Sequence, residues 1–198
     1  VAFSNQDHRR LASQLHLPLL APPRPARVLL LGGGPAALRE VLRHPVERLD
    51  YVELDSELLE LARRWDAEVR QELPRLLRGG RVRLLVDDGR RVLARSPGAY
   101  DVILVTLPGP SSALNNRFYT DEALAVARRA LRPGGLLRLT LEGAETYLSD
   151  ELATVHATVG AALKRAFGNV TALPGGVTLL LAGEGAAPAL TDAALSAR

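Results

Sequence analysis

The stretch RVLLLGGGPAALRE, residues 27–40, decides the fold class of this chain. Its first part, RVLLLG, is a short apolar run that ends in glycine, which is typical of a strand buried in a parallel sheet. Three consecutive glycines follow, and Pro35 then stands where a helix tolerates proline, in its first turn. The pattern predicts a strand over 27–32, a tight glycine turn, and a helix over 35–44 that stops before the next proline.

The same alternation of strand and helix continues to residue 183. Further strands are predicted over 49–55, 81–89, 100–106 and 136–141. Helices are predicted over 56–73, 120–135 and 149–167, with a short one after 89. A last pair of strands is predicted over 169–173 and 177–183. A Pro-Gly-Gly turn separates that last pair, which predicts an antiparallel hairpin. We therefore predict a Rossmann-like α/β fold, with a doubly wound, mostly parallel sheet that ends in a C-terminal hairpin.

The chain divides into a lead, one domain and a tail. Residues 1–26 end in the proline-rich LAPPRPA, so we predict neither a helix nor a central strand in this lead. Residues 27–183 hold all the predicted elements and form one α/β domain, and the alanine-rich 184–198 is expected to be a flexible tail. The chain starts at Val1 without a signal-peptide pattern, and we expect that something preceded it.

Composition makes several classes of function improbable. The chain has no cysteine, and its four histidines lie too far apart for metal-ligand spacing, at positions 8, 16, 44 and 156. The net charge is +3 and the pI about 9.8, but only 4% of residues are aromatic, which leaves few stacking platforms for nucleic acid. No apolar run reaches the roughly 18 residues of a membrane helix. We expect no metal, no nucleic-acid partner and no membrane contact from this chain itself.

Glycines and acidic residues collect where three predicted strands end. The set consists of Gly32, Gly33, Gly34, Glu53, Asp87 and Asp88. A turn without Cβ atoms lets a ligand approach the backbone, and the glutamate, about 20 residues further on, can accept both hydroxyls of a ribose. The two aspartates can accept from the exocyclic amine of adenine. The alternative is that the glycines only turn the chain and the acids only cap helices.

Eight segments spread over nearly the whole chain resemble one known family. They are FSNQD (3–7), VLLLGGG (28–34), LREVLRHP (38–45), YVELD (51–55), DDGRRVL (87–93), YDVILV (100–105), LPGPSSALNNRFYT (107–120) and LRPGGLL (131–137). On these segments the chain resembles the spermidine synthase (polyamine aminopropyltransferase) family. Its loop over 107–120 is most similar to that of the bacterial members that are fused to membrane-spanning segments.

The resemblance implies a fold, a ligand and roles for particular residues. The fold is that of class I S-adenosylmethionine-dependent transferases, and the bound substrate is decarboxylated S-adenosylmethionine or S-adenosylmethionine. The glycine turn would hold the methionine-derived tail, Glu53 the ribose and Asp88 the adenine. Residues 1–26 would be a remnant of the family's small β-domain. The resemblance also leads us to expect a homodimer and a cytoplasmic location, as a protein of its own or as the soluble domain of a membrane-fused one.

The chain departs from this family where the chemistry takes place. After its fourth strand the family has D-x-x-D-P, and these aspartates bind an amine and remove its proton. Here Thr106 and Gly109 stand at the two positions. Thr106 stays in the candidate cofactor-binding set, but neither residue replaces a carboxylate, so no catalytic residue is assigned. Two further departures are Leu11, Ala12 and Ser13 in place of a Tyr-His-Glu triplet, and Pro35 in place of an aspartate.

Three functions remain open after this comparison. The first is aminopropyl transfer from decarboxylated S-adenosylmethionine to a polyamine or another amine. The second is a catalytically inactive domain that binds an adenosyl ligand or serves as a scaffold, which the loss of both loop aspartates favours. The third is methyl transfer from S-adenosylmethionine, which can proceed by positioning alone. Binding of NAD is disfavoured by the pair Asp87-Asp88.

Overall fold

A seven-stranded sheet with helices on both faces forms the core of the computed structural model, which describes residues 8–21, 25–144 and 146–184. The helices are α1 (His8–Leu20), α2 (Gly34–Val41), α3 (Ser56–Trp65), α4 (Ala67–Arg78), α5 (Gly89–Ala94), α6 (Ala113–Asn116), α7 (Asp121–Ala130) and α8 (Asp150–Phe167). The strands are β1 (Arg27–Leu31), β2 (Arg48–Glu53), β3 (Val82–Val86), β4 (Tyr100–Val105), β5 (Leu131–Glu142), β6 (Asn169–Leu173) and β7 (Val177–Gly183).

The strand order places the first strand in the middle of the sheet. The order is β3-β2-β1-β4-β5-β7-β6, in which the first five strands are parallel and β7 is antiparallel to both β5 and β6. At the carboxyl end of β1, Leu31 pairs with Val52 on one side and with Val105 on the other. The direction of winding reverses at β1, and ligands of such sheets bind in the crevice beside the carboxyl ends at that point. The predicted doubly wound sheet with its terminal hairpin is confirmed.

Alternate residues of β1 supply two separate layers of the core. Leu29 and Leu31 pack with side chains from α5, α7 and α8, whereas Val28 and Leu30 pack with side chains from α1 to α4. All four are at most 2% exposed. Full burial of one such side chain contributes about 1.5–3 kcal/mol. This two-sided burial holds the glycine turn after β1 in a fixed place.

One helix lies in the lead where we predicted neither a helix nor a central strand. α1 ends at Leu20, immediately before the proline-rich segment, so the prolines limit the helix but do not prevent it. Leu15 and Leu19, one turn apart, are at most 2% exposed and belong to the same buried cluster as Leu38 of α2. Burial of this apolar face accounts for the helix. The division into 1–26, 27–183 and 184–198, and the β-domain origin of the lead, stay predictions.

The helix predicted over 56–73 is two helices, and it extends further than expected. Asp66 separates α3 from α4, and its Oδ1 accepts a hydrogen bond from the backbone N–H of Val69 at 3.1 Å, as a helix cap does. Pro74, the residue after the predicted end, lies inside α4. A proline there forfeits one backbone hydrogen bond, but buried Leu73 and the half-buried leucines that follow it hold the helix on the sheet.

The fourth predicted helix is shorter than expected, and the strand after it is longer. α7 ends at Ala130 instead of 135, and β5 begins at Leu131. The Pro-Gly-Gly at the end of the predicted helix lies instead in an irregularity of β5, because Tyr100 pairs with Leu131 but Val102 pairs with Leu136. The other predicted boundaries agree within about three residues. Over the described ranges no helix is long and apolar enough to cross a membrane.

Candidate functional site

The glycine turn after β1 lies against the residues that follow β4. Gly32 and Gly33 have φ angles of 71° and 85°, which side chains rarely adopt. A Cβ on Gly33 would lie 2.6 Å from Oγ1 of Thr106, and a Cβ on Gly32 would lie 2.9 Å from Cδ2 of Leu107. Glycine is therefore required at both positions by the backbone conformation and by the space. The ends of β1 and β4 form one continuous surface.

The hydroxyl of Thr106 is used for structure. Its Oγ1 donates a hydrogen bond of 2.6 Å to the carbonyl of Leu31, and its backbone N–H donates to the same oxygen at 3.0 Å. These two bonds join β4 to β1 directly under the glycine turn. A hydroxyl whose proton is already donated has no proton to give to a ligand, although its lone pairs remain. The assignment of Thr106 as a cofactor contact stays a prediction.

Glu53 at the end of β2 is held in place by three donors. Oε1 accepts from the backbone N–H of Leu54 at 3.0 Å and from that of Asp55 at 3.4 Å, and Oε2 accepts from the hydroxyl of Tyr51 at 3.1 Å. Burial raises the pKa of Tyr51 above its ordinary value, and the neighbouring Glu53 carboxylate raises it further. Tyr51 therefore stays protonated and keeps donating. The backbone N–H of Gly34 also acts on the Tyr51 hydroxyl, which links Glu53 to the glycine turn.

Asp88 at the end of β3 has two partners, one for each oxygen. Its Oδ1 accepts a hydrogen bond of 2.9 Å from the backbone N–H of Arg90 and so caps α5, as the alternative interpretation predicts. Its Oδ2 pairs with Nη2 of Arg117. Burial pushes the pKa of Asp88 upward, but the hydrogen bonds from Arg117 and from the Arg90 backbone outweigh it and hold the pKa below its ordinary value. Asp88 is ionised at neutral pH.

Asp87 belongs to a different environment from Asp88. Its Oδ1 accepts from the backbone N–H of Asp88 at 2.7 Å, and its carboxylate forms ion pairs of 3.1 Å with Arg91 and 3.7 Å with Arg95 on and just after α5. These partners hold Asp87 against α5 and away from the Arg117 pair. Of the two aspartates, Asp88 is the one connected to the residues after β4.

Arg117 was not identified from the sequence. It ends α6 in the segment 107–120, and its guanidinium carbon lies 5.5 Å from the ring centre of Phe118. The Phe118 ring lies close to Gly89 and packs on the core. No sequence signal indicated this role, because an arginine in a loop has no characteristic spacing to an acid 29 residues earlier. The pair with Asp88 arises from the crossing of two loops.

Tyr119 ties the same segment to the opposite side of the crevice. Its hydroxyl lies 2.9 Å from the carbonyl of Thr140 on β5 and 3.3 Å from the carbonyl of Pro108. Burial raises the pKa of Tyr119 to about 12, against a smaller lowering by Arg138. Protonated Tyr119 therefore fixes the turn after β4 against the end of β5.

Glu142, which the sequence analysis also missed, ends β5 beside the position of the second lost aspartate. A Cβ on Gly109 would lie 3.7 Å from the backbone nitrogen of Glu142, which is ordinary van der Waals contact. The Glu142 side chain is exposed, and its carboxylate has no partner in the part of the chain that is described. Its backbone carbonyl lies 2.7 Å from Nε2 of His156. The backbone of Glu142, a residue with an exposed carboxylate, thus adjoins Gly109 from the neighbouring strand.

A buried arginine lies below this end of the sheet. Arg138 is 1% exposed, and burial lowers its pKa to about 10, so it remains charged at neutral pH. Nη1 donates to the carbonyl of Val105 at 2.8 Å, and Nη2 donates to Oε1 of Gln14 on α1 at 2.6 Å. Arg138 therefore connects α1 to the carboxyl end of β4, one residue before Thr106.

The predicted site residues lie together along one edge of the sheet, at the carboxyl ends of its parallel strands. The glycine turn lies against Thr106 and is connected to Glu53 through the Tyr51 hydroxyl. Arg117, in the segment 107–120, connects Asp88 to the residues after β4. Leu54 and Val86, at the ends of β2 and β3, are 54% and 53% exposed and give this edge an apolar surface. Within the ranges described above, no three acidic or histidine side chains cluster as a metal site would need.

Comparison with known proteins identifies the family. The family model of the spermine/spermidine synthase domain matches residues 11–175. A polyamine aminopropyltransferase of Korarchaeum cryptofilum is 34% identical over 65% of this chain and 39% of its own length. Polyamine aminopropyltransferase 2 of Pseudomonas aeruginosa is 36% identical over 77% of this chain and 42% of its own length. The chain thus spans about two fifths of the length of these relatives.

Solved structures show the same fold. A spermidine synthase in complex with the transition-state analogue AdoDATO superposes with a TM-score of 0.73, at 21% identity, over 92% of this chain and 63% of that one. Human methyltransferase-like protein 13 in complex with SAH superposes with a TM-score of 0.67, at 21% identity, over 98% of this chain and 89% of that one. The fold is therefore shared by aminopropyl and methyl transferases. The match to the family model covers most of the chain, and the chain belongs to the spermine/spermidine synthase family.

Proposed function

We propose that this chain binds decarboxylated S-adenosylmethionine at the carboxyl edge of its sheet and transfers the aminopropyl group to an amine. One observation carries the proposal. Glu53 and Asp88 lie at strand ends on one side of the glycine turn, and Glu142 lies at the strand end on the other side. Carboxylates can accept hydrogen bonds from the hydroxyls and amine of an adenosyl group and can hold an amine cation, so the arrangement offers acceptors for both substrates. The family to which the chain belongs supports the same reaction.

The donor side of the site supports this assignment. Glu53 has two fixed oxygens that can each accept a further hydrogen bond from a ribose hydroxyl. Asp88 is ionised and can accept from the exocyclic amine of adenine. The exposed side chains of Leu54 and Val86 offer apolar contact to the faces of a base. We assign Gly32 to Gly34 to the methionine-derived tail, because the absence of Cβ atoms lets a ligand lie close to the backbone.

On the acceptor side, the chemistry requires an amine with a free lone pair. Its nitrogen attacks the propyl carbon bonded to the sulfonium, the bond from that carbon to sulfur breaks with its electrons on sulfur, methylthioadenosine leaves, and the nitrogen loses a proton. Aliphatic amines are protonated at neutral pH, with a pKa of about 10.4. Glu142, whose backbone adjoins Gly109 and whose side chain is exposed, carries a carboxylate that can hold such a cation. We propose it as the acceptor contact.

The rate is expected to be low. Thr106 donates its proton to Leu31 and cannot act as a base, and loss of a general base typically costs about 10²–10⁴ in rate. This observation also favours a second candidate, in which the chain binds an adenosyl ligand without turnover. Methyl transfer from S-adenosylmethionine is less well supported than either of these functions, because the likeness to a methyltransferase extends only to the fold.

The test is calorimetric titration of the purified protein with decarboxylated S-adenosylmethionine, S-adenosylmethionine and methylthioadenosine, followed by mass spectrometry after addition of putrescine. We expect micromolar binding with preference for the decarboxylated donor, and slow formation of spermidine. Binding without product supports the second candidate, and preference for S-adenosylmethionine supports methyl transfer. Absence of binding by all three ligands overturns the adenosyl site. A small-molecule amine partner, a homodimer and the lack of a nucleic-acid partner remain predictions.

A further inference from the structure

Arg138 carries a buried charge that the proposed transfer does not use. It pairs with Leu104 of β4 and with Leu181 of β7 in the middle of the sheet, and it is 1% exposed. Its two hydrogen bonds go to neutral oxygens, the carbonyl of Val105 and the side-chain amide of Gln14. Its Nε has no hydrogen-bond partner among the described residues, and none of their carboxylates pairs with it. Over the described ranges, Arg138 is therefore a buried cation without a counter-ion.

The charge of Arg138 reaches the turn after β4. Burial lowers the pKa of Arg138 only to about 10, so the guanidinium stays charged at neutral pH. Little water screens a charge in this position, so it acts on neighbouring groups. Burial raises the pKa of Tyr119, and the Arg138 charge opposes this rise. The Tyr119 hydroxyl lies 3.3 Å from the carbonyl of Pro108, the residue before Gly109. The positive charge is thus felt by the side chain that holds this turn.

Few negative charges balance Arg138 on the side that we assign to the amine. The segment 106–120, between β4 and α7, contains no acidic residue, and Glu142 is the acidic residue that β5 supplies. Arg138 and Glu142 are four residues apart on one strand, so their side chains leave the same face, with Cα atoms about 13 Å apart. One ammonium group can pair with Glu142. A second ammonium group finds no carboxylate in this segment and is repelled by Arg138.

We propose that Arg138 makes the acceptor side selective for amines that carry one positive charge and disfavours diamines, putrescine among them. The proposal rests on the proposed function, which places the amine beside Gly109 and Glu142. Arg138 is buried below this place and touches no substrate. It acts through its charge, which is unfavourable for a second cation nearby. Slow transfer to putrescine is then a matter of acceptor charge as well as of the missing base.

Competition between two amines of equal length tests the proposal. Pentylamine has a methyl group where putrescine has its second ammonium group, and both are titrated at pH 7.5 into protein saturated with methylthioadenosine. Ligand-detected NMR gives the two Kd values without any turnover. In the wild type, putrescine should bind about 10-fold more weakly than pentylamine, the effect of like charges about 10 Å apart at an effective dielectric constant of about 20. Where transfer is measurable, kcat/KM should show the same preference.

Gln14→Glu neutralises the buried charge without removing Arg138. Gln14 Oε1 lies 2.6 Å from Nη2 of Arg138, so a carboxylate of the same shape would form an ion pair there. In Q14E the 10-fold disadvantage of putrescine should fall below about threefold. R138M should have the same effect, and R138K, which keeps the charge, should retain the wild-type preference. Q14E also provides the result if R138M does not fold.

A matched control separates this effect from the addition of negative charge. Gln71 is exposed on α4, and Q71E should retain the wild-type ratio of the two Kd values. A wild type that binds putrescine as tightly as pentylamine overturns the inference, and so does a ratio that Q14E leaves unchanged. Binding of methylthioadenosine without either amine overturns the proposed acceptor side and the inference with it. Absence of methylthioadenosine binding, seen by calorimetry, overturns the proposed donor site instead.

Discussion

At the scale of single residues, Gly33 decides whether the end of β1 can meet the end of β4. The change Gly33→Ala places a Cβ at the position 2.6 Å from the Thr106 oxygen, in a backbone conformation with positive φ. We expect a loss of about 1–3 kcal/mol in the free energy of unfolding and a loss of methylthioadenosine binding. Urea denaturation and calorimetry measure the two effects. Gly80 also has positive φ, with nothing within 4 Å of its Cβ position, so Gly80→Ala should reduce stability but leave binding intact.

Glu142 is the residue on which the proposed acceptor side depends. The change Glu142→Gln removes the charge and keeps the shape, so it should lower kcat/KM for an amine by about 10- to 100-fold, the scale of one charged hydrogen bond of 1.5–3 kcal/mol. Binding of methylthioadenosine should not change. Glu60→Gln, which removes an exposed carboxylate paired with Arg63 on α3, serves as the control. An unchanged kcat/KM in E142Q would exclude Glu142 as the amine contact.

Gly109 offers the opposite experiment, which adds a carboxylate. Its φ angle is not positive, and a Cβ there meets no atom closer than 3.7 Å, so Gly109→Asp should fold normally. Two neighbouring carboxylates raise the pKa of one of them, which makes that group a better base. We expect transfer to putrescine to increase by about 10²-fold or more, the lower part of the range for a general base. The rate of product formation at pH 7 and pH 8 measures this increase. An unchanged rate would show that restoring the second aspartate alone does not restore transfer.

At the scale of elements, α1 is attached to α2 by a group of charged and titratable side chains. His16 Nδ1 lies 2.6 Å from His44 Nε2, and His16 Nε2 lies 3.1 Å from Glu40, which also pairs with Arg43. Burial lowers the pKa of His44, the charge of His16 lowers it further, Glu40 opposes the shift and Arg43 adds to it. The hydrogen bond between the His16 and His44 rings needs at least one neutral ring, because one of the two nitrogens must accept the proton.

This arrangement predicts that attachment of α1 weakens in acid. The folded-state pKa of His44 is below its ordinary value of about 6.5. The stability that neutral His44 contributes is therefore complete above pH 6.5, and it decreases as the pH falls from 6.5 toward the lowered pKa. Hydrogen exchange of α1, corrected for the intrinsic effect of pH, should be faster at pH 5.5 than at pH 7.5. His44→Gln should remove the difference. Equal protection at both pH values in the wild type would contradict the prediction.

The elements also show how far the sequence could be read. Continuous apolar runs at 28–31 and 102–105 identified the two central strands, β1 and β4, because burial on both faces favours apolar residues. α1 was missed because the prolines after Leu20 suggested an irregular lead, whereas the apolar side chains of Leu15 and Leu19 determine the structure through contacts with α2. The break at Asp66 was missed because one amphipathic pattern continues across it. Tertiary packing decides these points.

The site could be predicted only where its residues follow strands directly. The glycine turn, Glu53 and Asp88 come at strand ends, and parallel strands bring their carboxyl ends to one edge. Arg117 and Glu142 could not be assigned, because their positions depend on how the segment 107–120 crosses the crevice and on where β5 ends. The resemblance to the family directed attention to the lost aspartates, and it gave no indication of a carboxylate on the neighbouring strand.

At the scale of the whole molecule, a bound adenosyl ligand should stabilise the folded chain. Methylthioadenosine at about 100 times its Kd stabilises a folded state by about 2.7 kcal/mol if it binds only that state. For a chain of this size each kcal/mol corresponds to about 2–4 °C, so we expect Tm to rise by about 5–10 °C. Thermal unfolding followed by circular dichroism measures it, and adenine at the same concentration is the control. No rise would contradict a preformed site.

The contact between Gln14 and Arg138 has a consequence for exchanging parts between related proteins. A hybrid joined at residues 26 and 27, where the sequence suggests a boundary, would take α1 from one protein and the buried arginine from another. The Arg138 guanidinium would then keep its hydrogen bond to the carbonyl of Val105 but lose the one to Gln14, its described acceptor on α1. This loss would affect the end of β4, which supports Thr106. A functional hybrid requires that the two residues be inherited together.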